Sequence, residues 1–148
     1  MSTIATQLIQ TNRSFASLAL RVPLGLTLAA HGAQKLFGWF GGYGLEGTGQ
    51  WMASIGLEPG YLMAIGAGGA EFFGGLALAL GLLTRPAALV SAFTMLVALV
   101  VVHLENGFFL SNNGYEYALI LFAASLSLIF SGAGSWSIDR LIQSPSAQ

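Results

Sequence analysis

Residues Tyr61 to Leu83 read YLMAIGAGGAEFFGGLALALGLL, an apolar run whose single charge, Glu71, falls near its middle. A helix of this length is about 34 Å long, enough to cross the hydrocarbon core of a bilayer. No other charge lies within twelve residues of Glu71 on either side. A carboxylate at bilayer depth is costly, so Glu71 is expected to face protein and to find a partner there or stay protonated.

The rest of the chain extends the same pattern. Of 148 residues, 55% are hydrophobic and 7% charged, with a mean hydropathy of +0.73. A water-exposed domain usually carries roughly 25% charged residues, so the surface here suits lipid. Four segments have spanning length and composition: 15–38, 61–83, 86–106 and 115–132. They predict an all-α, integral membrane four-helix bundle, one domain over 1–148, with an outer loop at 39–60. A net charge of −1 with no basic patch argues against a nucleic-acid partner. The absence of cysteine excludes thiol catalysis, disulfide exchange and thiolate metal ligands within this chain. The opening MSTIATQLIQTNR lacks an early basic region, so the first apolar segment reads as a retained helix.

Charge asymmetry predicts orientation. Arg13 precedes the first span, Arg85 sits between the second and third, and Arg140 follows the fourth. The loop 38–59 has Glu46 and Glu58 but no Lys or Arg, and 107–114 is uncharged. The positive-inside rule then puts both termini and Arg85 on the cytoplasmic side. Thr84-Arg85-Pro86 makes a tight turn, which requires spans two and three to be antiparallel neighbours. The first loop is glycine-rich, and its second half, 50–57, suits a short interfacial helix. Trp39, Tyr43 and Trp51 there read more simply as an aromatic belt than as a lid over a pocket.

In span two, Gly66, Ala70 and Gly74 form one small-residue stripe, the kind that admits a neighbouring helix. Ala67, Glu71 and Gly75 form a second, leaving space beside the carboxylate for a polar side chain or a ligand. A faint internal echo, His31 to Gly42-Tyr43 and His103 to Gly114-Tyr115, suggests a duplicated hairpin.

The remaining intramembrane polar residues define a constellation. His31 and Lys35 lie one helical turn apart on one face, flanked by Thr27 and Gln34. Lys35 admits two readings, snorkelling to the interface or work inside the bundle. His31, roughly 10 Å deeper than the outer helix end, is harder to bring to water. Arg21 reads first as a headgroup contact on the inner side, and second as a reach towards Glu71. His103 faces the interior better than Glu105, which points the opposite way. Glu116 opens the fourth span, where it favours the helix terminus or closes the bundle mouth. Two histidines and a carboxylate match a metal inventory, but Lys35 would repel a cation and no HxxH or ExxH spacing is present. The reading is therefore no metal, with haem ranked lower still.

RVPLGLTLAAHGAQKLFG (21–38), GAEFFGGLALALGLLTRPAA (69–88) and His103 before Gly107-Phe108 resemble the DoxX family of small four-helix bacterial inner-membrane proteins. The resemblance runs from Arg21 to Leu128 through Gly32, Gly38, Gly74-Gly75, Gly81 and Arg85. It implies a multi-pass plasma-membrane protein carried under the label of oxidoreductase. Relatives include the small subunit of a thiosulfate:quinone oxidoreductase, proteins linked to quinone resistance, and a partner in an oxidative-stress membrane complex. A quinone head group needs donors for its carbonyls and protons for its reduction. His31 and Glu71 are the expected proton-handling catalytic pair, with Lys35, His103, Glu116 and Arg21 as substrate-binding residues. No cofactor motif is evident, so electrons would come from a soluble redox partner or an exogenous cofactor. Beside this stand two alternatives: a non-catalytic anchor or assembly subunit for a soluble redox partner, and a small proton-coupled exporter. The bilayer and a second copy of the chain are the other expected partners.

Overall fold

The computed structural model describes residues 3–11 and 14–143, so Arg13 lies outside the described residues. Among them all regular structure is helical. The elements are α1 (Thr3–Ile9), α2 (Phe15–Phe37), α3 (Gly44–Ser54), α4 (Gly60–Leu80), α5 (Thr84–Val97), α6 (Glu116–Ser131) and α7 (Ile138–Ile142). Three helices are long and apolar enough to cross a membrane: α2, α4, and α5 with its continuation to Asn106. The apolar helix α6 is shorter, at 16 residues.

α2 and α4 form the closest pairing, α5 and α6 the next, and α4 against α5 joins the two hairpins. The shared core is Leu24 and Leu28 of α2, Leu78 of α4, Met95 of α5, and Leu121 and Leu128 of α6. Outward faces carry Leu26, Phe73, Leu89, Phe93 and Phe130. Apolar residues on both sides of a helix are what a lipid-facing bundle requires, because hydrocarbon solvates the outer face.

The α2–α4 contact is made backbone to backbone. A Cβ on Gly32 would stand 2.3 Å from the Phe72 amide nitrogen, and one on Gly75 would stand 2.5 Å from that of Ala29. Those separations exclude any side chain. The row in contact on α4 is thus Gly68, Glu71, Gly75 and Leu78, all buried. The other predicted row behaves differently. Gly66 has open space around it, and Gly74 faces Ser91 of α5. The stripe that brings helices together is therefore the one that contains the carboxylate.

α4 begins beyond the end of α2, and α3 packs on that overhang, Gly49 against the backbone at Tyr61. The interfacial helix predicted at 50–57 lies earlier, at Gly44–Ser54, because the chain has already turned at Gly56, where φ is 84°. The third span departs from the predicted uniform helix. After Val97 it widens into a π-helical stretch over Ala98–His103, then tightens over Leu104–Asn106. Val100, Val101 and Val102 lie in that stretch, and successive β-branched side chains crowd a normal α-turn.

The arginine-bearing end is closed by the chain's last described segment. α4 stops at Gly81, φ 67°, the left-handed conformation that ends helices. There the carboxylate of Asp139, the only aspartate in the chain, accepts from the amides of Leu83 (2.7 Å) and Thr84 (2.9 Å). It caps the start of α5 from 55 residues away in sequence. Arg85 donates to the carbonyls of Gln10 and Ile129, tying α1 and α6 to the same end.

Candidate functional site

Glu71 does find its partner. Lys35 Nζ lies 2.6 Å from Glu71 Oε2, joining the last turn of α2 to the middle of α4. The side chains are unequally covered: 4% of Glu71 is accessible and 25% of Lys35. Gly68 makes the bond possible. A Cβ on Gly68 would stand 2.9 Å from Leu36 Cδ2 and 3.1 Å from Lys35 Cβ, so the glycine lets the end of α2 close on α4 one turn from Glu71. Of the two readings of Lys35, the coordinates give the inward one: its ammonium is bound to a carboxylate inside the protein.

An ammonium has three N–H donors. Glu71 takes one of these, and the lysine side chain as a whole stays one-quarter accessible. His31 lies one turn, about 6 Å, deeper along α2. Its ring is half-buried, with both Lys35 and Glu71 in its electrostatic surroundings. The ring of Tyr117, from the start of α6, is 6.0 Å from that of His31 and tilted by 56°. Tyr117 was not among the residues predicted from sequence. The available signal was its hydroxyl-bearing ring one residue inside an apolar helix, next to Glu116. Gln34, on the predicted polar stripe, hydrogen-bonds the His31 ring through its side chain and also donates to the Phe40 carbonyl at the turn after α2.

The other predicted site residues lie elsewhere. Arg21 is buried to 1% exposure, with its guanidinium surrounded by backbone oxygens. Nε donates to Ala133 O at 2.9 Å, and the terminal nitrogens donate to the carbonyls of Leu78, Ala79, Ser135 and Trp136. Five N–H donors meet five carbonyls at the C-terminal end of α4 and the segment after α6. Arg21 is about 20 Å along α2 from Lys35. Neither headgroup contact nor a reach to Glu71 survives, because the carbonyls left open at a helix end are the nearer acceptors.

His103 and Glu116 also turn to local backbone. His103 Nδ1 is 2.8 Å from Asn113 O, and Glu116 Oε1 accepts from the Leu110 amide at 2.8 Å. Both bonds shape the loop between α5 and α6, and neither residue reaches the Lys35–Glu71 pair through a hydrogen bond or ion pair among the described residues. Glu105 is exposed, as expected. Among the described residues, no three His, Asp or Glu side chains gather as metal ligands. The geometry therefore selects His31, Lys35, Glu71 and Tyr117.

The sequence model of the DoxX family matches residues 16–104, the part that contains α2, α4, α5 and the ion pair. The chain belongs to the DoxX family. Among curated proteins it is similar to "Putative oxidoreductase CatD" of Bacillus subtilis, 33% identical over 133 residues, covering 88% of this chain and 91% of that one. It is also similar to "Inner membrane protein YqjF" of Escherichia coli, 36% identical over 108 residues, covering 71% and 79% respectively. An uncharacterized protein of Haemophilus influenzae is 38% identical over 75 residues, half of each chain. No solved structure matches. The DoxX-family match and the apolar helices together make this a membrane protein.

Proposed function

We propose that this DoxX-family chain is a multi-pass protein of the bacterial plasma membrane that binds a quinone, or a small molecule of similar chemistry, beside the Lys35–Glu71 pair. α6, about 24 Å long, serves as the fourth span, continued by the segment that Arg21 holds. In this reading both termini face the cytoplasm, because Arg85 and Arg140 gather at one end while the loops at the other, 38–59 and 104–114, carry no Lys or Arg.

One observation carries the reading: a buried carboxylate holds the ammonium of a lysine whose side chain is itself partly accessible. Glu71 fixes Lys35, and the remaining lysine donors can polarise a quinone carbonyl. The ring of Tyr117 offers a wall for a flat head group. Reduction of a quinone to a quinol takes two electrons and two protons. In this reading His31 and Glu71 handle the protons, with Lys35 bound to Glu71 and within the electrostatic surroundings of His31. The electrons come from a redox partner, since the chain has no cysteine and no evident cofactor motif. The oxidoreductase name of the Bacillus relative agrees with this chemistry.

In purified protein, Glu71→Gln and His31→Ala should each remove saturable ubiquinone or menaquinone binding while membrane insertion persists. Undiminished binding in both variants would reject the site. A second reading has support in the same geometry: the ion pair ties α2 to α4 at their closest approach, as expected for a device that fixes helix register in an anchoring subunit. Recovery of one stoichiometric soluble partner, together with full tolerance of Glu71→Gln, would favour that reading.

A further inference from the structure

We infer that the arginine-bearing end of the bundle carries a binding site for one anionic phospholipid, seated against Arg140 and Trp136. The inference is independent of the quinone reading, which concerns the opposite end of α2.

Three described arginines gather at this end, and their guanidinium groups are used differently. Arg21 is consumed by five carbonyls, and Arg85 by two. No hydrogen bond or ion pair among the described residues engages the Arg140 side chain; only its backbone amide is bonded, to Ser137 Oγ. This side chain lines a cleft of about 560 Å³ with Phe15, Leu80, Trp136, Ser137 and Leu141. That volume lies within the range of small-ligand sites. The walls are mostly apolar, with Ser135 and Ser137 among them, and the only charged residue is positive, a combination that suits an acyl chain below an anionic headgroup.

The depth is also right for lipid. Phe15 is the first residue of α2 and Leu80 the last of α4, so the cleft opens at the ends of two helices of membrane-spanning length. Leu141 is 85% exposed and Trp136 80%. Exposed apolar residues at a spanning-helix boundary are satisfied by acyl chains and headgroups rather than by water.

Trp136 is held there by the backbone. Its φ of 53° is left-handed, an unfavourable state for a large side chain. Arg21 binds the carbonyls of both Ser135 and Trp136 on either side of it. The indole then stands edge-on to Phe15, ring centres 6.1 Å apart at 77°. Its N–H has no partner among the described residues and is available to a phosphate or glycerol oxygen. Arg140 supplies the charge, the Trp136 indole a second donor, and Phe15, Leu80 and Leu141 the chain groove.

Native mass spectrometry of the full chain in a neutral detergent tests this, with phosphatidylglycerol and phosphatidylcholine as probes. One phosphatidylglycerol should bind saturably and in preference to phosphatidylcholine. Arg140→Gln should weaken it by about fivefold, the effect of one interfacial basic residue, and Arg140→Lys should restore most of it. Trp136→Gly suits the local φ and should weaken binding as well. Millimolar inorganic phosphate should not compete. Equal retention of both lipids, or indifference to Arg140→Gln, would overturn the site. Competition by phosphate would overturn it in favour of a free anion. A change of oligomeric state in Leu141→Gln would overturn it in favour of a second copy of the chain.

Discussion

At the scale of single residues, Glu71 and Arg21 solve the same problem by opposite means. Each is charged and buried, and each must replace water with protein groups. Glu71 uses another charge, Lys35, whereas Arg21 uses neutral carbonyls. Removing Lys35 alone strands a carboxylate, so Lys35→Met should destabilise the protein by roughly 2 kcal/mol, between the exposed and fully buried limits for ion pairs. Adding Glu71→Gln removes the stranded charge and should recover much of that loss in a detergent melting curve. Simple additivity of the two losses would show that the pair is not coupled. Arg21→Lys keeps the charge but not the five-donor fork. It should cost roughly 3 kcal/mol or more, because several helix-end carbonyls lose their donors together. Melting equal to the parent protein would show that those bonds are idle.

Helix pairs decide whether the ion pair can form. Lys35 reaches Glu71 only because Gly32, Gly68 and Gly75 let the axes of α2 and α4 come together. Gly32→Ala would press a methyl to 2.3 Å from the Phe72 nitrogen, so the helices must separate. The expected loss is roughly 2 kcal/mol or more, from overpacking that backbone cannot relieve. Gly66→Ala meets nothing within 4 Å and should be neutral or slightly stabilising. Parallel melts of the two variants separate the contact row from the idle one, and a larger loss at Gly66 would invert the assignment. The pairing of α5 with α6 is held differently, by Arg85 at one end and by the loop bonds of His103 and Glu116 at the other.

For the whole molecule, charge is separated along the bundle axis. Arg21, Arg85, Asp139 and Arg140 lie at one end, and Lys35 lies towards the other. The absence of cysteine makes the proposed topology easy to check. Ser111→Cys and Gln143→Cys, made singly, should react with an impermeant maleimide from opposite faces of the membrane. In right-side-out cells only Ser111→Cys should label, and in inverted vesicles only Gln143→Cys. Labelling of both positions from one side would remove the fourth span.

The sequence by itself determined that the chain is helical and apolar, where its long helices run, and that Glu71 must face protein, because hydropathy, helix length and the cost of a buried charge are local properties. His31, Lys35 and Glu71 were legible as a group for the same reason. The partners were not. Arg21 is bonded to residues 57 to 115 positions away, and Asp139 caps a helix 55 positions away. Backbone carbonyls and amides exist at every position, so composition cannot say which of them an arginine or aspartate will meet. Only the tertiary structure decided that Lys35 turns inward, that Tyr117 joins His31, and that His103 and Glu116 hold a loop. Those outcomes depend on how closely two helices approach and how they are rotated, and that is set by packing along the whole α2–α4 contact.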